Sequence, residues 1–259
     1  MKAMILAAGL GTRLRPLTDD RPKALVTVGG YTLLEIVLRR LREAGVTDVI
    51  VNVHHFADAI LDFLKTKGKF GMRIEVSREE MLLDTGGGLK RAASFFLDFK
   101  GGAEEPFLLH NVDVASMIDL EAMIRVHRER RALATLAVQK RESARLLLFD
   151  EAGALCGRRT RGAEDAEWTR QAQPAIALAF SGIHVLSPRL LSMLGGDEAF
   201  SIIPAYLRMA AAGEKILAYR CDYCYWRDLG SPESIRQAGE DLEKGLWSVP
   251  AHQGIAESV

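Results

Sequence analysis

Apolar residues change their period several times along this chain, and each change predicts an element. Residues 3–8 form a short unbroken apolar run that stops at Gly9, the mark of a buried strand feeding a turn. Comparable runs predict strands at 49–53, 73–76, 106–110 and 132–138. Between them the spacing becomes helical. Thr32-Leu33-Leu34-Glu35 has the form of a capping box, Leu33, Leu34, Val37, Leu38 and Leu41 supply an apolar stripe, and Gly45 ends the helix. Further helices are expected at 57–67, 88–97, 117–130, 200–212 and 232–245, with the arginines at 39, 40 and 42 and along 117–130 on solvated faces. Alternating strands and helices predict an α/β class, a Rossmann-like domain over 1–247 whose mostly parallel, mixed central sheet is flanked by helices. Residues 139–175 break the alternation and read as a hairpin-rich insertion over the sheet edge that helps to form an acceptor pocket. The end, 248–259, has little to anchor it and reads as a mobile tail.

Composition narrows the classes. The 259 residues carry 34 Lys plus Arg against 34 Asp plus Glu, so no global field favours nucleic acid. No apolar run approaches the roughly 18 residues of a membrane span, and residues 3–8 are too short for a signal-peptide core. A cytoplasmic protein with neither nucleic-acid nor membrane partners is expected. The three cysteines are too sparse and uneven for a disulfide framework. Cys221 and Cys224 lack the second pair that a structural zinc needs, and are expected as reduced, half-buried strand residues.

The densest chemistry lies near the start. Gly9 and Gly11 let the backbone approach a ligand closely, and successive N–H groups of such a loop can cradle an anion. Arg13 adds a fork of donors suited to phosphate oxygens, and Lys23 brings a compact charge ten residues later. The Rossmann dinucleotide fingerprint fails, because its third glycine position is Leu14. A P-loop fails too, because no Gly-Lys-Ser/Thr follows Gly11. What remains is an anion-handling loop for a nucleotide.

Gly9-Leu10-Gly11-Thr12-Arg13-Leu14-Arg15-Pro16-Leu17-Thr18, followed by Pro22-Lys23, closely resembles the signature of the sugar-1-phosphate nucleotidyltransferases. Asp84-Thr85-Gly86-Gly87-Gly88-Leu89 is similar to that family's second glycine segment, and Asn111-Val112-Asp113-Val114 to its metal motif. Phe180-Ser181-Gly182-Ile183 resembles the sugar-pocket segment, and Trp226 to Glu233 the second metal segment. The likeness covers roughly residues 1–240 and implies the nucleotide-diphospho-sugar transferase fold. It also implies the reaction: a sugar 1-phosphate attacks a nucleoside triphosphate, giving a nucleotide sugar and pyrophosphate.

By this resemblance Asp113 and Asp228 hold Mg2+, the ion that prefers carboxylates with phosphate oxygens and water. Arg13 grips the departing phosphates, while Lys23 serves the α-phosphate and sugar phosphate; with Asp113 these two are the expected catalytic residues. Ala7, Ala8, Gly9, Gly11 and Thr12, with Gly86 and Gly87, flank the nucleotide, and Ser181 and Gly182 face the sugar. Glu79 or Glu80 is a candidate for the base edge, against the alternative of an exposed loop carboxylate, and His54, His55 and His110 are expected to be structural. Length, the Asp84–Gly88 segment and Phe180–Ile183 are most similar to enzymes that join UTP to N-acetylmuramate 1-phosphate, with those joining GTP to mannose 1-phosphate next. Two residues depart: Asp84 stands where the relatives commonly have glutamate or glycine, and Val112 where the family usually has glycine, and a β-branched residue resists positive φ. These departures imply a different local loop or reduced activity, and Val112 is the support for a second reading, a weakened nucleotide-sugar sensor or regulatory subunit.

Overall fold

The computed structural model describes residues 1–97, 105–163, 165–196 and 198–251. Its first part runs β1 (Lys2–Leu6), β2 (Thr27–Val28), β3 (Tyr31–Thr32), α1 (Leu33–Glu43), β4 (Asp48–Val53), α2 (Ala57–Thr66) and β5 (Arg73–Arg78). The middle holds α3 (Asp84–Arg91), α4 (Ala93–Leu97), β6 (Phe107–Asn111), β7 (Val114–Ser116), α5 (Leu120–Arg130) and β8 (Ala134–Gln139). Then come β9 (Arg145–Phe149), β10 (Leu155–Thr160), β11 (Glu167–Trp168), β12 (Ile176–Leu186), α6 (Ile202–Ala211), β13 (Ile216–Arg220), β14 (Trp226–Asp228) and α7 (Pro232–Glu243). The expected α/β class, a mixed sheet with flanking helices, is observed.

The chain forms two compact units, one of residues 1–82, 110–117 and 225 onward, the other of 83–109 and 118–224. In the first, β1, β4 and β5 lie side by side in parallel, with Leu6 opposite Asn52 and Asn52 opposite Ser77 at their carboxyl ends. Both faces of β1 and β4 are covered, so the strands read as continuous apolar runs rather than alternating ones. The stripe of α1 is buried as its spacing predicts. Its capping box is only half formed: Thr32 Oγ1 accepts from Glu35 N–H at 3.1 Å, but the Glu35 carboxylate turns to Arg39 and Lys67 instead.

The second unit is mainly antiparallel. Strand β12 pairs with β8 and β9, β9 with β10 and β10 with β11, while β13 runs parallel to β8. The sequence pattern misses β12 because both its faces are covered and a bulge at Phe180–His184 interrupts its period. The helix expected at 88–97 starts earlier, at Asp84, and breaks at Ala92 into α3 and α4. At two of the three glycines inside α3 space is short: a methyl on Gly86 would lie 2.3 Å from the Phe200 ring, and one on Gly87 2.2 Å from the Glu198 carbonyl oxygen. Cys221 and Cys224 follow β13 in a turn rather than lying in a strand, closed by Gln139 Nε2, which donates to both their carbonyls at 2.8 and 2.9 Å. Both are free thiols; burial pushes the Cys221 thiol up to about 12. The tail expected at 248–259 lies outside the described residues from 252 onward.

Candidate active site

The end of β1 fixes the start of the glycine loop. Beyond Leu6 the ladder stops, and the Ala7 N–H donates instead to Asn52 Oδ1 at 2.8 Å. Asn52 Nδ2 donates in turn to Glu79 Oε1 at 2.7 Å, and the Glu79 N–H bonds the Val53 carbonyl at 2.8 Å. The Asn52 and Glu79 side chains are almost wholly buried, so Glu79 is an interior acceptor, whereas Glu80 is exposed. His54 Nδ1 lies 2.8 Å from the Glu79 carbonyl oxygen.

The loop itself needs its glycines at two points. Gly9 is exposed with open space where a side chain would stand, which leaves its backbone approachable. Gly11 has φ +64°, and a methyl there would press on Thr18 Cγ2 at 3.0 Å and Lys23 Cβ at 3.1 Å. The Gly11 carbonyl takes the Thr18 hydroxyl at 2.9 Å and the Leu14 N–H at 2.8 Å, which starts a 3-10 turn over Thr12–Leu14. Thr12 and Arg13 are exposed on that turn, while Leu14 anchors it in the interior. A second 3-10 turn, Lys23–Leu25, opens after Pro22, whose missing N–H and fixed φ suit the position before a helical turn.

Lys23 and Asp113 meet. The ammonium contacts Asp113 Oδ2, with the two side chains 13% and 15% exposed, enough burial to keep the pair from being a screened surface contact. Asp113 occupies the turn between β6 and β7, docked on the end of β1 by the Val112 N–H, which donates to the Leu6 carbonyl at 3.1 Å. Val112 is 2% exposed and its φ is not positive, so the turn is built without the left-handed backbone for which a glycine would be needed.

Asp228 comes beside Asp113 through a three-residue ribbon. Strands β7 and β14 pair antiparallel with Val114 opposite Asp228, and the Leu229 N–H donates to the Asp113 carbonyl at 2.8 Å. Asp228 Oδ1 accepts from the Gly230 N–H at 2.7 Å. Arg13 arrives at the same place: a methyl on Gly230 would lie 2.5 Å from Asp228 Oδ1 and 2.6 Å from Arg13 Nη2. The ribbon is held from behind by Arg227, which pairs with Asp241 of α7 at 2.7 Å, and by Tyr225, whose ring stacks on Trp247 at 5.7 Å. A capping box of Ser231 and Ser234 starts α7 immediately after.

One end of β1 therefore gathers Ala7 to Arg13, Lys23, Asp113 and Asp228. Among the described residues, no cluster of three or more His, Cys, Asp or Glu side chains is placed to hold a metal alone. Two carboxylates, each with one oxygen outside any described hydrogen bond, instead suit a hard cation that takes its other ligands from phosphate and water. His110 lies behind Asp113, its Nδ1 2.7 Å from the Asn111 carbonyl oxygen, and burial lowers its pKa to about 4, with the Arg40 charge adding to the effect.

In the second unit the Gly86 and Gly87 N–H groups both point at the Phe200 carbonyl, at 2.8 and 3.2 Å. Ser181 is fully buried in β12, and Gly182 takes φ +76° at the bulge. Asn52 and Glu79 are the members that sequence reasoning missed as a linked pair. The available signal was Asn52 itself, one polar residue inside the apolar run 49–53.

A family model described as nucleotidyl transferase matches residues 2–146. The N-acetylmuramate alpha-1-phosphate uridylyltransferase of Caulobacter vibrioides is 33% identical over 241 residues, covering 90% of this chain and 93% of that protein. The mannose-1-phosphate guanylyltransferase of Mycobacterium tuberculosis is 29% identical over 260 residues, covering 97% and 67%. Among solved structures, that of HddC from Yersinia pseudotuberculosis complexed with GMP-PN is similar in fold, with a TM-score of 0.72, 22% identity, and coverage of 93% of this chain and 98% of that one.

Proposed function

The chain belongs to the nucleotidyl transferase family and is a sugar-1-phosphate nucleotidyltransferase, and from that premise we propose that it transfers UMP from UTP to N-acetylmuramate 1-phosphate. The observation that carries the chemistry is the contact of Lys23 with Asp113 at the end of β1, beside Asp228. The choice of substrates is supported by the Caulobacter relative, which spans nearly the whole chain.

In this reading an oxygen of the sugar phosphate attacks the α-phosphorus of UTP, the bond to the β-phosphate oxygen breaks, and pyrophosphate leaves. Such a transfer calls for positioning and charge neutralisation more than for covalent work by the protein. The glycine loop offers N–H groups to the phosphates, and the small Ala7, Ala8 and Gly9 leave room for base and ribose. Arg13, exposed on the loop's turn and with its guanidinium beside Asp228, grips the phosphates that leave. Lys23 sits deeper and meets the charge that grows on the transferred phosphoryl group. Asp113 and Asp228 would hold Mg2+, which when bound neutralises phosphate charge and orients the α-phosphate. Gly86, Gly87, Ser181 and Gly182 remain the expected contacts to the nucleoside and sugar. The reaction suits the cytoplasm, where nucleoside triphosphates are available; no helix among the described residues is long and apolar enough to cross a membrane.

Transfer of GMP from GTP to mannose 1-phosphate is the second reading, favoured by the 97% coverage of the Mycobacterium match. The sensor reading loses its support, because Val112 builds the Asp113 turn without strained backbone. A pyrophosphate-release assay over UTP, GTP and other triphosphates, each with several sugar 1-phosphates, tests the proposal. UTP with N-acetylmuramate 1-phosphate should give the highest kcat/KM, chelation should abolish turnover, and Asp113→Asn or Asp228→Asn should lower it at least about a hundredfold. A higher kcat/KM for GTP with mannose 1-phosphate would replace this reading with the second.

A further inference from the structure

The loop after β8 and the end of β10 line an open cavity of about 660 Å3 in the second unit. Among the described residues its walls carry Lys140, Arg141, Arg159 and Arg161 against one carboxylate, that of Glu142, an excess of positive charge in a chain whose overall charge is zero. Two features of the strand pairing aim that charge. Arg159 stands opposite Leu146 on β9, and Arg161, in the turn that follows β10, is tied to the same hairpin by its N–H, which donates to the Ala144 carbonyl at 2.8 Å; both residues line the cavity. Arg158, one residue before Arg159 and therefore on the opposite face, is neutralised by Glu167 at 2.6 Å. Among the described residues, Lys140, Arg159 and Arg161 have no carboxylate within ion-pair distance; Asp222, which accepts the Lys140 backbone N–H at 2.7 Å, pairs with Arg220 instead.

The cavity adjoins the segment expected to meet the sugar. Arg141 Nη2 donates to the Phe180 carbonyl at 2.7 Å, and Gln139, just before the cavity, pairs with Ala179. Several cations collected beside a sugar-binding segment cost stability by mutual repulsion unless an anion joins them. A neutral hexose has nothing to offer such a place; a sugar bearing a carboxylate does, and guanidinium forks match carboxylates in two-bond geometry.

We infer that this cavity binds the carboxylate of an acidic sugar acceptor, with Arg159 and Arg161 as its specificity-determining residues and Lys140 as a supporting charge. The inference rests on the sugar-phosphate reading above and assigns the residues that select an acceptor by its carboxylate. It assigns no part in the phosphoryl transfer to these residues.

N-acetylmuramate 1-phosphate and N-acetylglucosamine 1-phosphate are a matched pair, because the first differs by a carboxylate-bearing ether. The wild type should favour the acidic acceptor at least about tenfold in kcat/KM, the size of one charge-assisted pair. The double variant Arg159→Ala/Arg161→Ala should erase that preference through KM for the acidic acceptor, leaving the neutral one within about twofold. Arg158→Ala, on the other face, should leave the preference intact. Equal use of both acceptors by the wild type, or an equal loss for both in the double variant, overturns the inference while leaving the reaction standing. Turnover of neither acceptor removes the uridylyl-transfer reading. The cavity is then judged by calorimetric titration with free N-acetylmuramate and N-acetylglucosamine. Tighter acid binding that the double variant abolishes supports it; equal binding, or none, overturns it.

Discussion

At the scale of single residues, burial sets Lys23 apart from Arg21. Lys23 is held against Asp113 in a partly dry place, where its charge is little screened, whereas Arg21 pairs with Asp20 in open solvent. Lys23→Ala should therefore lower kcat about a hundredfold while changing KM for the triphosphate by less than about threefold, as expected for a charge met mainly in the transition state. Steady-state kinetics decide it; a rise in KM alone would remove Lys23 from the transition state. Asn52 acts one step further back. It cannot touch the phosphates if it is holding the Ala7 N–H and Glu79 together, so it positions the loop. Asn52→Ala leaves a buried N–H and a buried carboxylate without this partner, at a cost of about 1–3 kcal/mol or more. Calorimetry should show a lowered Tm, and KM for the triphosphate should rise more than kcat falls. These assignments were unequally legible in the sequence. Lys23 and Asp113 could be named from their flanking motifs, but a hydrogen bond between strands two elements apart leaves no local pattern, and Asn52 stood only as a polar exception in an apolar run.

At the scale of elements, long periodic segments were readable and short tertiary ones were not. Helices α1, α2 and α7 lie close to their expected spans because amphipathic spacing and caps are local properties. The β7–β14 ribbon has three residues a side, too few for a period, and depends on Arg227, Asp241, Tyr225 and Trp247 for its support. Yet that ribbon brings the two motif aspartates together, so the chemistry was legible from the motifs while the means of assembling it was not. Val112 belongs to this scale. Its side chain is buried in the turn that starts the ribbon, and its backbone has no positive φ to relieve. Val112→Gly should lose the burial of an isopropyl group and add unfolded-chain entropy, together roughly 2–4 kcal/mol of stability. Urea unfolding measures this directly. The variant should also lose turnover, through a loosened Asp113; unchanged stability would show that the valine does not anchor the turn.

At the scale of the whole molecule, the balanced charge hides a strong asymmetry toward acid. His127 of α5 is buried, its Nδ1 2.9 Å from the Thr135 hydroxyl, and burial lowers its pKa to about 4, with Arg128 adding to the shift. His110 is lowered to about 4 in the same direction, chiefly by burial. Both rings are neutral in the folded chain at pH 7, and an unfolded histidine titrates near 6.5. As pH falls below about 6.5 the unfolded state takes up protons that the folded state refuses, so stability declines until the folded pKa is reached near 4. Each ring can contribute a loss on the order of 3 kcal/mol over that window, a large fraction of the roughly 5–15 kcal/mol of a typical domain. Carboxylates behave differently. Glu214, held below its usual range by hydrogen bonds from Arg189, loses its contribution only at still lower pH. The decline between pH 6.5 and 5 is thus a histidine effect. Differential scanning calorimetry should show Tm falling steadily over that interval, and His127→Gln should start from a lower Tm at pH 7.5 but lose less of it on acidification. A variant with the same slope as the parent would show that His127 is not among the groups that refuse the proton.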